Sequence, residues 1–174
     1  HYGLDCEVKQ LVDLVASALV LESAAAGEAE QAAEIREPAP ETRGRLDGRR
    51  ILVVDDEADV RTFLTTVLED AGATALEAES GEQALAMAAA EAPDLITLDL
   101  SMPGLSGVDV FLKLRRDPAT EGIPVCIVTG HPEFRKVIYE RPVPPPEGYL
   151  DKPVDEEKLV AYIEHILEKA EDKH

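Results

Sequence analysis

Polar side chains stand at the ends of short apolar runs along this chain. Asp55 and Asp56 follow Ile51-Leu52-Val53-Val54, Asp99 follows Asp94-Leu95-Ile96-Thr97-Leu98, Thr129 ends Ile123 to Val128, and Lys152 lies just past Gly148-Tyr149-Leu150. Three carboxylates and an ammonium brought together cannot make a closed structural site, because like charges raise one another's pKa or push apart. A hard divalent cation removes the conflict. Mg2+ takes oxygen ligands, keeps several waters and is usually held by one or two carboxylates plus a phosphate. Zinc does not suit the set, since no Cys or His is spaced to serve it. A carboxylate beside Mg2+, with a lysine and a hydroxyl near, is suited to accept a phosphoryl group as its nucleophile. The metal and Lys152 neutralise charge on the phosphoryl oxygens, and Thr129 hydrogen-bonds one of them.

That chemistry needs elements that bring the five residues together. The runs 51–54, 94–98, 123–128 and 148–150 read as buried strands, and the Ala-rich 73–78 as a weaker one. Met102-Pro103-Gly104 forces a loop after Asp99, since Pro cannot continue a ladder and Gly permits left-handed dihedrals. Between the strands lie helical patterns. Glu57 to Ala71 carries Val60, Phe63, Leu64, Val67 and Leu68 on one face and stops at Gly72. Ser80 is the N-cap of a helix to about Glu91, with Gln83 completing a capping box. Gly107 to Arg116 is a helix, 133–140 a short one, and Asp155 caps a last one to about Lys169.

Strand and helix alternate throughout. This predicts an α/β fold: a five-stranded parallel sheet with right-handed crossovers and helices on both faces. The flavodoxin-like order 2-1-3-4-5 places strands one, three, four and five side by side. Their carboxyl ends, with all five polar residues, then meet at the topological switch point where such sheets bind ligands.

The 174 residues leave room for one ordinary domain plus extra. Net charge is −19, divided as −6 over residues 1–48 and −13 over 49–174, so neither part is a basic arm. This argues against direct contact with nucleic acid or an anionic membrane surface. No stretch approaches the roughly 18 apolar residues of a membrane span, and no basic n-region marks a signal peptide. Cys6 and Cys126 show no framework spacing, which points to a reduced, cytoplasmic protein with Cys126 as a buried inert thiol.

Three regions follow. Residues 1–21 form an amphipathic helix, with Leu4, Val8, Leu11, Val12, Leu14, Val15, Ala18, Leu19 and Leu21 at spacings of three and four. Two readings of it stand equal: a helix folded back on the main domain, and a docking helix that makes a homodimer. Residues 22–48 are an acidic Ala/Glu/Pro-rich linker with too few large apolar residues to offset ordering entropy. Residues 49–174 are the main domain. A sequence starting at His1 rather than Met reads as a fragment, a processed form or a trimmed chain.

Four motifs in order, ILVVDDE, LITLDLSMPGLSG, CIVTG and GYLDKPV, resemble the receiver domain of two-component response regulators over about residues 49–170. The resemblance implies Asp99 as phosphoacceptor and Asp55 and Asp56 as the acidic pair. It implies Asp56, Asp99 and the Ser101 backbone carbonyl as Mg2+ ligands, Thr129 as switch hydroxyl, Lys152 as the phosphate-contacting lysine and Tyr149 as the rotating aromatic. Pro153 matches the family's cis-proline position. The partner implied upstream is a sensor histidine kinase or phosphotransfer protein; the downstream protein is not named by the sequence.

Two stretches depart from the family's pattern. His131 lies two residues after Thr129, either near the phosphate or as a solvated loop histidine. Arg141-Pro142-Val143-Pro144-Pro145-Pro146 blocks helix and shortens the fourth one, leaving a rigid surface connection or a polyproline II docking ligand. No DNA-binding segment follows the last helix, so the expected output is protein–protein contact or a missing N-terminal part. Expectation therefore settles on a phosphoacceptor rather than a turnover enzyme. The rivals are a Mg2+-dependent aspartyl-phosphate phosphatase, disfavoured by Ser101 where a second acid is wanted, a flavodoxin-like flavin binder, lacking the loop after the first strand, and a pseudo-receiver scaffold, disfavoured by the intact acidic residues.

Overall fold

The computed structural model describes residues 44–173. The helix expected over 1–21 and most of the 22–48 linker lie outside them. Five parallel strands are present: β1 (Arg50–Val54), β2 (Thr74–Ala78), β3 (Leu95–Leu98), β4 (Val125–Thr129) and β5 (Gly148–Asp151). Their order is β2-β1-β3-β4-β5, as expected. The helices are α1 (Ala58–Asp70), α2 (Gly81–Glu91), α3 (Gly107–Arg116), α4 (Phe134–Tyr139) and α5 (Glu156–Asp172).

The central strands β1, β3 and β4 are buried and mainly apolar because both faces are covered. Side chains alternate, so Ile51 and Val53 join a core with α1 and α5, while Leu52 and Val54 join one with α2, α3 and α4. Phe111, Leu98 and Ile127 are among the largest fully buried side chains. Each such residue contributes roughly 1.5–3 kcal/mol of burial. β2, at the edge, is half exposed, which explains its weak pattern.

Local chemistry fixes the helix ends. Ser80 Oγ accepts from Gln83 N–H at 3.2 Å, while the Gln83 side chain reaches one residue further back, to Glu79 N–H at 3.0 Å. Ser106 and Asp155 cap α3 and α5 in the same way. α5 runs beyond the expected Lys169, to Asp172.

The last residues of the expected linker are built into the packing. Leu46 sits in a turn over 44–48, is fully buried against α1 and α5, and donates its N–H to Ala71 O at 2.9 Å. The proline stretch is pinned as well: Val143 packs on the core, and Pro144 O accepts from Arg115 Nε at 3.4 Å. Among the described residues no helix is long and apolar enough to cross a membrane.

Candidate functional site

β1 and β3 pair in register, Val54 beside Leu98, so both strands end at the same level. Asp55, Asp56 and Asp99 therefore emerge together, and each offers one carboxylate oxygen within 4.8 Å of the others. The sheet buries Asp55 and Asp99 almost completely, to 1% and 3% exposure. Backbone donors hold them: Glu57 N–H reaches Asp55 Oδ1 at 2.9 Å, and Ser101 N–H reaches Asp99 Oδ1 at 3.1 Å.

Lys152 supplies the counter-charge. Its Nζ donates to Asp55 Oδ2 at 2.8 Å and Asp99 Oδ2 at 3.4 Å, with Glu57 Oε1 at 3.8 Å. Its backbone N–H donates to Thr129 O at 3.0 Å, which ties the end of β4 to the turn after β5. The Lys152–Pro153 bond is cis, as expected. Burial raises the Asp99 pKa above its ordinary value; the Ser101 N–H and Lys152 oppose this, and the neighbouring Asp55 charge adds to it. For Lys152, burial pulls the ammonium down, yet hydrogen bonding to Asp55 and attraction to Asp99 and Asp55 leave it raised.

One lysine does not balance three carboxylates. Asp56 Oδ1 is buried and has no hydrogen-bond partner, an arrangement that costs free energy unless a cation or donor fills it. All the ligand atoms are oxygens, which suits Mg2+ and not zinc. The residues present thus fit the expected metal.

The other expected residues fall nearby with distinct contacts. Thr129 is fully buried, and its Oγ1 accepts from His131 N–H at 3.1 Å instead of touching the carboxylates. The His131 ring is exposed and faces Glu133, Nδ1 to Oε1 3.1 Å, which matches the solvated reading. Tyr149 is half-buried against α4: the Tyr139 ring lies 5.6 Å away and the Arg135 guanidinium 5.0 Å above the Tyr149 ring. Its hydroxyl is buried without a partner, and burial pushes its pKa up to about 12.

Sequence reasoning missed several supports. Arg61 Nη1 donates to Asp55 O at 2.9 Å, fixing the acidic loop from α1. Arg135 pairs with Asp151 at 2.7 Å. Gly107 is needed by a close approach: a Cβ there would meet Asp99 O at 2.0 Å and Leu100 Cα at 2.5 Å. Arg61 reaches a backbone carbonyl, which every residue carries, so the residue types gave no signal for that contact.

Comparison with known proteins agrees with the fold that carries these residues. The model of the response regulator receiver domain matches residues 51–164. The chain is similar to the phosphate regulon transcriptional regulatory protein PhoB of Pseudomonas aeruginosa, 38% identical over 70% of this chain and 53% of that protein. It is also similar to Protein PilH of Pseudomonas aeruginosa, 39% identical over 68% of this chain and 97% of that protein. The chain thus spans about half the length of PhoB and nearly all of PilH. Among solved structures it resembles a response regulator receiver domain protein from Clostridium thermocellum. There the TM-score is 0.65 and identity 26%, covering 72% of this chain and 99% of that one. Chemotaxis protein CheY4 of Vibrio cholerae gives a TM-score of 0.61 at 27% identity, covering 68% and 98%. The family match over residues 51–164 and the 2-1-3-4-5 parallel sheet lead to one conclusion: the chain belongs to the receiver domains of two-component response regulators.

Proposed function

We propose that the chain accepts a phosphoryl group on Asp99 from the phosphohistidine of a sensor histidine kinase or a phosphotransfer protein, in the cytoplasm. An Asp99 carboxylate oxygen attacks phosphorus, the P–N bond breaks, and the departing imidazole nitrogen takes up a proton. Asp55, Asp56 and Asp99, with the Ser101 backbone carbonyl, would hold Mg2+, which when bound supplies positive charge against the phosphoryl oxygens. Lys152 already spans Asp55 and Asp99, so it reaches the new group without crossing the site. Thr129 accepts from His131, which leaves its own hydrogen free to donate to a phosphoryl oxygen. That pull, with Tyr149 turning inward, shifts the population toward a state with altered affinity for a downstream protein. The chain acts as a phosphoacceptor with slow loss of the group, not as a turnover enzyme.

The observation that carries this reading is the carboxylate trio, Asp55 and Asp99 buried and Asp56 half-buried with one unpartnered oxygen, beside a single lysine. The test is intact-mass spectrometry after incubation with a small acyl phosphate. A single phosphoryl adduct is expected in the presence of Mg2+, absent without it and absent in Asp99→Asn. No adduct with the folded protein, even from a phosphorylated kinase, overturns the reading in favour of a scaffold. Rapid, sustained release of inorganic phosphate overturns it in favour of a phosphatase.

A further inference from the structure

α5 sorts its charges. Glu164 and Glu171 pair with Arg45 and Arg49. His165 and Lys169 on α5 and Lys173 at its C-cap, spaced by four and solvent-exposed, instead line an open cavity of about 460 Å³ against Gly122, Pro124 and Glu147. None of the three has a side-chain ion pair or hydrogen bond among the described residues. In a chain with 36 acidic and 17 basic residues, two unpaired lysines and an unpaired histidine on one cavity is the reverse of what composition favours. Cations suit a helix's carboxyl end, but that accounts for their position along α5 and not for the hollow they share.

The rest of the wall removes the obvious counter-charge. Glu147 Oε2 is already committed, accepting from Arg115 Nη2 and from Val125 N–H, both at 2.7 Å. Tyr162, also on the wall, accepts from Tyr149 N–H at 3.4 Å, which leaves its hydroxyl hydrogen to donate elsewhere. This corner is tightly built, since a Cβ on Gly148 would meet Tyr162 Cε1 and Ile166 Cδ1 at 2.6 Å.

We propose that this cavity binds a small polyanion, one carrying two or more adjacent phosphate or carboxylate groups. His165 and Lys173 are separated by about 12 Å of helix rise, too far for one monoanion to reach all three side chains. The volume lies within the range of small-molecule sites. The ligand would touch Tyr162 and, through it, the backbone of Tyr149, so occupancy registers on the strand that carries the expected switch aromatic.

The test is a titration of the isotope-labelled full chain with inorganic pyrophosphate, and separately citrate, in Mg2+-free buffer, followed by amide NMR shifts. Saturating shifts at Gly122, Lys169 and Tyr149 are expected, with a Kd at or below about 1 mM. Lys169→Ala/Lys173→Ala and, separately, His165→Gln are expected to weaken binding, the double variant by roughly tenfold or more. Saturation by pyrophosphate alone assigns a phosphate ligand, by citrate alone a carboxylate ligand, and by both a site that counts charge. Shifts that never saturate, that are equal in the double variant, or that appear equally around Lys113 and Arg116 overturn the proposal. Because no phosphoryl donor is present, this result stands apart from the adduct measured on Asp99.

Discussion

The two sides of the sheet's carboxyl edge are built on different terms. At β1 and β3 the backbone grips the charged groups: Asp55 and Asp99 each take a main-chain N–H, and Lys152 bridges them. At β4, α4 and β5 the polar atoms are left over. Tyr149 Oη and Arg135 Nε are buried without partners, Tyr139 is 61% exposed, and α4 spans six residues. The first side holds charge in place and leaves one Asp56 oxygen open to a cation, and the second retains unspent hydrogen bonds and little to lose on moving. A receiver needs both, since the event on one side must be legible on the other.

The contrast can be broken most severely from beneath. Phe111 on α3 is fully buried and carries the Arg115 guanidinium 5.0 Å from its ring. Phe111→Ala is expected to cost about 3–5 kcal/mol in denaturant unfolding, whereas truncation of the exposed Tyr139 on α4 costs a fraction of that.

A pH series sharpens the charged side. The Asp99 pKa is raised in the folded protein, so Asp99 contributes stability that is fully present below the ordinary carboxylate value of 3.8 and is lost as pH rises through its folded pKa. Without Mg2+, the stability of the wild type relative to Asp99→Asn should therefore fall between acid and neutral pH. Lys152, also raised, keeps its contribution below 10.5 and loses it only above, so it does not enter that window. Adding Mg2+ at neutral pH should stabilise the wild type and leave Asp99→Asn nearly unmoved; equal stabilisation of both would place the cation elsewhere.

The smallest effect belongs to the other side. Tyr149→Phe removes a hydroxyl with no partner, so its folding stability should hold or rise by up to about 1 kcal/mol. A loss of that size would mean the hydroxyl is bonded in solution.

Much of this was legible in the sequence because strand ends are punctuated by chemistry. An apolar run that stops at Asp55, Asp99 or Lys152 declares both the strand and the edge at which it ends. The helix α3 was readable from Gly107 to Arg116 through its apolar positions Val108, Val110, Phe111, Leu112 and Leu114. Leu46 was not readable, since one apolar residue among Gly, Arg and Asp has no period to reveal it. Arg115 is charged, yet it is buried and bonded to Glu147, 32 residues away, which only the fold brings near. α5 outlasts its apolar stripe at Leu167 because pairing of Glu171 with Arg49 supports its last turn. The partners of Thr129 and Tyr149 depend on side-chain direction, which residue type does not encode.

Gly107 carries a consequence for how this protein can vary. Its N–H closes on Leu100 O at 3.2 Å, and its missing side chain is the clearance through which the start of α3 passes the Asp99 carbonyl. The chain after Asp99 is therefore a noose drawn to one atom's width. Any residue larger than glycine at this neck would be felt as a displaced Asp99 rather than a disturbed helix, so tolerance to substitution should be lower here than at the exposed Pro103 and Gly104 inside the noose.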